Sequence, residues 1–118
     1  MANVDDLVRK SFGQMGSVFT SVSGAITPPS NKVFIAITFL AETTLDSSSG
    51  LVADTNHFSS EFPGTNAAAH DAGSATEISG TGGDAIDVND IFPSGVTIFG
   101  RWTEIDLATG MVMAYIGE

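Results

Sequence analysis

Cysteine is absent from this 118-residue chain, and only four lysines and arginines stand against fourteen aspartates and glutamates, for a formal net charge of −10. Without cysteine, the chain forms neither a disulfide nor a thiolate metal site. Neutralising phosphates requires clustered lysine and arginine, and binding an anionic membrane surface has the same requirement. The composition therefore argues against nucleic acid and against membranes as partners.

Long apolar runs are also missing. The longest, residues 33–41, is interrupted by Thr38 and is far shorter than the ~20 apolar residues that a membrane-spanning helix needs. The first six residues include two aspartates and no apolar core, so we expect no secretory signal there. The length fits one domain, and we interpret residues 1–118 as a single β domain.

Residues 1–31 are interpreted as an N-terminal arm or short helix followed by a strand. Asn3 is a suitable N-cap for a helix reaching Lys10, with acids near its start and bases further on, as the helix dipole favours. From Met15 to Val22 polar and apolar residues alternate, which indicates a strand. Two prolines and the turn formers after them end this segment.

Residues 32–41 form the strongest predicted element, a central strand. Its two faces, both largely apolar, consist of Val33, Ile35, Ile37 and Phe39 on one side and Phe34, Ala36, Thr38 and Leu40 on the other. A strand that is apolar on both sides is covered on both sides. It lies either in the centre of the chain's own sheet, or with one face on the core and the other against a neighbouring subunit.

The remainder completes an all-β prediction. Residues 42–95 are rich in Ser, Gly, Thr, Asp and Asn, and we expect two or three short strands carried on long loops. Residues 96–117 alternate on both sides of Gly110, which predicts a C-terminal β-hairpin with Gly110 at positive φ and Asp106 bonded to the loop backbone. The predicted fold is a small antiparallel β-sandwich or barrel with long Gly/Ser-rich loops and this hairpin.

Residues that carry chemistry are few. His57 and His70 are the only histidines, and because no metal-binding spacing is present we interpret them as loop histidines. Asp84, Asp87 and Asp90 recur at every third position without matching a calcium loop, which favours turn and strand-end acids. No nucleophile motif or phosphate-binding loop is present. The sequence thus predicts no enzyme and no catalytic, cofactor-binding or metal-binding residue.

Aromatic residues near the C terminus indicate packing instead. Trp102 shares a strand face with Val96 and Ile98 and is predicted to fill the core. Phe99 and Arg101 point the other way, and an aromatic residue beside an arginine is typical of an interface anchor. The alternative is that the arginine stem covers Phe99 on a free surface.

Residues 90–103 and 111–117 resemble the carboxyl ends of small virion proteins of tailed bacteriophages, many of them marine and cyanobacterial phages. The pattern in that family is Phe-Pro-x-Gly-x-Thr-Ile-aromatic-Gly-Arg-Trp, followed by a hairpin that ends near Tyr-x-Gly. The matching positions are Phe92, Pro93, Gly95, Thr97, Ile98, Phe99, Gly100, Arg101, Trp102 and Tyr115. The match covers roughly the last quarter of the chain.

The resemblance implies a non-enzymatic structural protein of the phage virion, and within that class a head decoration (cement) protein on the capsid exterior. Its implied partners are the major capsid protein and copies of itself, as a homotrimer, with no cofactor. Two alternatives remain: a tail- or fibre-associated virion protein, and a small β-barrel ligand-binding domain or enzyme that uses His57 and His70.

The strand pattern and the implied role together define a set of candidate interface residues. They are Phe34, Ile35, Ile37, Phe39, Phe99, Arg101 and Tyr115. We expect the strand at 32–41 and the hairpin residues 96–116 to form the core of the trimer.

Overall fold

The computed structural model describes residues 15–47, 49–54, 62–65 and 85–118. These residues form no helix and seven strands: β1 (Ser17–Thr20), β2 (Gly24–Ile26), β3 (Val33–Phe39), β4 (Thr44–Leu45), β5 (Leu51–Ala53), β6 (Thr97–Thr109) and β7 (Val112–Gly117). The prediction of an all-β fold is confirmed. The predicted helix at residues 3–10 and much of the predicted loop region lie outside the described residues.

β3 is the central strand, as the sequence predicts. The sheet has the strand order β1-β7-β3-β6-β2, with β4 and β5 also paired to β6, and every pairing is antiparallel. Five of the seven residues of β3 are buried. Its apolar side chains are therefore covered by the chain itself, except for Ile35, which is partly buried.

β6 curls strongly enough to turn the sheet into a half-barrel. Its first residue, Thr97, pairs with Thr38, and two residues link its last residue, Thr109, to Val112, which pairs with Phe39. A straight strand of 13 residues would span about 43 Å, yet both ends of β6 lie near the same end of β3. The hydrophobic core fills the inside of this curl.

The predicted C-terminal hairpin needs one correction. Its two strands are present as β6 and β7, and the chain passes between them at Gly110 as expected. These two strands, both fully described, do not pair with each other, because β3 lies between them and pairs with both. The connection is also shorter than predicted, since β6 continues to Thr109 and pairs there with Thr44. The alternation located the two strands but not their partners.

The core is built around Trp102, as predicted. Its side chain is 1% exposed, and its indole Nε1 donates a hydrogen bond to the carbonyl oxygen of Pro63 at 2.8 Å. The ring lies over Gly100, where an added Cβ would come within 2.8 Å of it. Phe92, which lies in the loop before β6, stacks on Phe39 of β3 with ring centroids 4.5 Å apart. Two loop segments thus close the half-barrel over its strands.

Gly110 is required at the connection between β6 and β7 for two reasons. Its φ is +110°, a conformation that residues with a side chain rarely adopt, and this confirms the predicted positive φ. An added Cβ would also lie 2.6 Å from the Cα of Thr43. Asp106 does not bond the loop as expected: its Oδ1 accepts a hydrogen bond from the N–H of Gly24, in β2, at 3.2 Å.

We expect Gly110→Ala to lower the free energy of unfolding by about 2–4 kcal/mol, because strain at positive φ adds to a backbone clash. Gly95→Ala is the matched control, since Gly95 has a φ of +89° but an added Cβ there meets nothing within 4 Å. Its expected cost is about 1 kcal/mol. Urea unfolding followed by Trp102 fluorescence measures both variants, and equal losses would show that Thr43 does not restrict the turn.

Candidate functional site: the outer face of the sheet

The candidate site is the face of β1, β7, β3 and β6 that points away from the core. Strand alternation defines it, because one cross-strand row packs inward and the rows on either side of it point outward. The inward row consists of Val18, Ala114, Ile37 and Ile98. The outward rows are Ser17, Tyr115, Ala36 and Phe99, and then Phe19, Met113, Thr38 and Thr97. These eight residues and Ile35 are called the outer face below.

Phe99 is the most prominent residue of the outer face. Its side chain is 76% exposed, more than any other large hydrophobic residue in the described part of the chain. Its cross-strand neighbour is Ala36, whose methyl group is too small to cover an aromatic ring. Removing a side chain of this size from water is worth about 1.5–3 kcal/mol. A partner surface that covers Phe99 gains affinity from it.

A β-bulge places Ile35 on the same face. The register of β3 shifts at this residue against both neighbouring strands. Ile35 lies against Gly117, where an added Cβ would be 2.6 Å from its Cγ2 atom. In the second outward row, the hydroxyl oxygens of Thr38 and Thr97 are 2.8 Å apart and share a hydrogen bond. The face is thus mainly apolar, with these two hydroxyls paired inside the sheet.

No charged side chain belongs to the outer face, although the chain has fourteen acidic residues. A protein surface that covers only these nine residues meets neither a carboxylate nor an ammonium group. Burying such a surface carries no desolvation penalty for charge, which amounts to several kcal/mol per ion where a charge is buried. The outer face is therefore suited to docking by apolar burial.

A charged cluster borders the outer face at Arg101, which follows Phe99 by two positions on β6. Its Nε donates to Oδ2 of Asp54 at 3.2 Å, and its Nη1 donates to the carbonyl oxygen of Glu118 at 2.8 Å. Asp54 is buried, whereas Lys32 and Glu118 form a longer and more exposed contact of 3.9 Å. Lys32 and Arg101, the cations in the described ranges, are thus both engaged with acidic residues of the chain.

The residues predicted to form an interface divide into two groups. Ile35, Phe99 and Tyr115 lie together on the outer face, and Arg101 lies at its border. Phe34, Ile37 and Phe39 are at most 1% exposed. The expectation that these three help to form the core of an oligomer is corrected, because the fold uses them as the core of the single chain. Sequence alone did not separate the groups, since β3 is apolar on both faces.

The sequence interpretation missed the two other large apolar members of the outer face, Phe19 and Met113. They are cross-strand neighbours on β1 and β7, and Phe19 is 53% exposed. A usable signal was present in the charge pattern, because residues 11–31 contain no charged side chain. An uncharged segment of that length in a strongly acidic chain indicates a surface that another protein covers.

The acids considered for metal binding serve a turn where the structure describes them. Oδ2 of Asp90 accepts a hydrogen bond from the N–H of Asp87, and Oδ1 of Asp87 accepts one from the N–H of Asn89, both at 2.8 Å. This is the role that the turn interpretation predicts. The remaining candidates, His57, His70 and Asp84, lie outside the described residues.

The described ranges contain neither a metal-binding cluster nor a membrane-spanning helix. No group of three or more histidine, cysteine, aspartate or glutamate side chains there is arranged to hold a metal ion. No residue of the described ranges belongs to a helix long and apolar enough to cross a membrane.

A scan against protein-family models finds no match for the chain. Searches of curated proteins and of solved structures find no match either. The resemblance to phage virion proteins consequently stays a prediction.

We expect Arg101→Gln to lower the free energy of unfolding by about 1–3 kcal/mol, because the buried carboxylate of Asp54 loses a charge-assisted hydrogen bond. Lys32→Gln is the matched control: its contact with Glu118 is long and exposed, so the expected loss is below about 0.5 kcal/mol. Urea unfolding at pH 7 measures both. An equal loss in the two variants would contradict the structural role assigned to Arg101.

Proposed function

We propose that this chain is a non-enzymatic structural subunit of a bacteriophage virion, and specifically a head decoration protein. In this role it binds the exterior of the capsid as an oligomer and stabilises the head lattice, and its outer face is the surface that docks on the shell. Two separate observations support the proposal: the character of the outer face, and the resemblance of the C-terminal residues to virion proteins of tailed phages.

The observation that carries the proposal is an exposed apolar face in a strongly acidic chain. Two phenylalanines stand on its outer strands, Phe99 on β6 and Phe19 on β1, with 76% and 53% of their side chains exposed. With three strand spacings between them, they lie about 14 Å apart across the sheet. Contiguous apolar patches with a polar border mark protein interaction sites, and aromatic residues are the anchors there.

The same face defines the chemistry of the partner. A partner surface that covers the outer face is uncharged. The partner surface also contains recesses for the two aromatic rings. The acidic residues of the chain lie outside the outer face, so a net charge of −10 keeps unbound copies apart without opposing the docking step. We infer that a protein shell with an apolar site is a better partner than a basic surface.

The first test uses Phe99→Ala. The chain is co-expressed with the major capsid protein encoded in the same genome, and cosedimentation with assembled shells gives the affinity. We expect the wild-type chain to bind and Phe99→Ala to bind roughly 30-fold more weakly, which corresponds to the loss of one interface hot spot. The stability of the variant should change by less than about 0.5 kcal/mol, because the side chain is exposed.

Ile91→Ala is the matched control for this test. Ile91 is 60% exposed but lies outside the strands of the outer face, so its removal should leave binding unchanged. Equal binding by the wild-type chain and Phe99→Ala would remove the outer face from the interface. If the chain is absent from shells but present in purified tails, the decoration role is overturned in favour of the tail-associated alternative.

Docking through an uncharged face also predicts a weak dependence on salt. Raising the NaCl concentration from about 0.05 M to 0.5 M should change the affinity for the shell by less than about threefold, because screening acts on charges. Cosedimentation at the two concentrations measures this. A loss of about tenfold or more would indicate that charged residues of the chain, and not the outer face, hold the partner.

A further inference from the structure

β1 lies at one end of the sheet, and a single contact defines which of its backbone groups face outward. The N–H of Ile116 donates to the carbonyl oxygen of Gly16 at 2.9 Å, so these residues form a hydrogen-bonded antiparallel pair. Such pairs alternate along a ladder, and Val18 and Thr20 therefore also bond to β7. The N–H and C=O groups of Ser17 and Phe19 point to the opposite side, the edge with which no described strand pairs.

This edge lacks three of the features that usually prevent strand addition, although β1 is short, at four residues. β1 contains no charged residue and no proline, and its register against β7 continues without a bulge. Among the described strands, β7 alone pairs with β1. Phe19 adds an apolar side chain beside the edge, with 53% of it exposed. Within the described part of the chain, the edge is thus a template for a further strand.

The charge pattern of the chain indicates which strand fits this edge. Residues 11–31 are uncharged, and all fourteen acids lie elsewhere in the sequence. Two copies that approach through their acidic surfaces repel each other. Two copies that approach through β1 bring together uncharged strands with open hydrogen-bonding groups. The strand that best complements this edge is therefore β1 itself.

We propose that β1 pairs antiparallel with β1 of a second copy, across a twofold axis at Val18. Ser17 then exchanges two backbone hydrogen bonds with Phe19 of the second copy, and symmetry doubles these to four. Both residues lie on the outer face, so the pairing joins the outer faces of two copies into one surface. The pairing gives a dimer of the isolated chain, in place of the homotrimer that the resemblance implies, and does not depend on binding to a shell.

The test compares Ser17→Pro with Ser17→Thr. Proline removes the outward N–H but no bond to β7, and an edge strand tolerates it when that side faces solvent. Threonine keeps the N–H and favours a strand. Four-residue strands bury little area, so we expect the wild-type chain and Ser17→Thr to dimerise with a dissociation constant on the order of 10–100 µM. Ser17→Pro should stay monomeric at the same concentrations, as measured by sedimentation equilibrium.

Amide hydrogen exchange of the wild-type chain provides a readout that needs no variant. The amides of Val18 and Thr20 should be protected at every protein concentration, because they bond to β7. The amides of Ser17 and Phe19 should gain protection only as the concentration rises. A monomer at all concentrations, a trimer, or dimerisation by Ser17→Pro at wild-type strength would each overturn the proposal. None of these results depends on whether the chain binds a phage shell.

Discussion

The burial of β3 between β6 and β7 is the interaction on which the rest of the structure depends. β6 and β7 follow each other in the chain but do not pair, so β3 is the strand that holds them in one sheet. Its core side chains, including Phe34 and Ile37, are almost completely buried. The curl of β6 then brings the end of that strand back toward β3, and the loop carrying Phe92 closes the core by stacking on Phe39.

The nine residues of the outer face are uncharged, and a charged pair, Asp54 with Arg101, lies at their border. The uncharged residues 11–31 include β1, the strand at the open edge. The outer face and the edge at β1 are thus continuous with each other, because Ser17 and Phe19 belong to both. Docking through the outer face and pairing through the edge use different atoms, so one copy has room for both.

Sequence reasoning located most strands but few of their neighbours. The alternation of apolar residues identified β3, and positive φ at Gly110 followed from the turn chemistry of glycine. It did not reveal that β3 separates β6 from β7, because periodicity carries no information about pairing partners. Phe99 was identified as a candidate interface residue because it lies on the face of its strand opposite to that of Trp102. Phe19 was missed because its cross-strand neighbour, Met113, lies far along the chain. The two residues share a face only because β1 pairs with β7 and β7 pairs with β3.

The pairing of β3 with strands at the far end of the chain has a consequence for synthesis on the ribosome. Thr38 and Thr97 are separated by 59 positions, and Gly24 contacts Asp106 across 82. Contacts between such distant positions form slowly, because a long loop must close before they do. A nascent polypeptide therefore carries its most apolar segment without its strand partners until residues 97–117 have been synthesised. During that interval it is exposed to aggregation, and chaperones that hold unfolded segments have their natural target in β3.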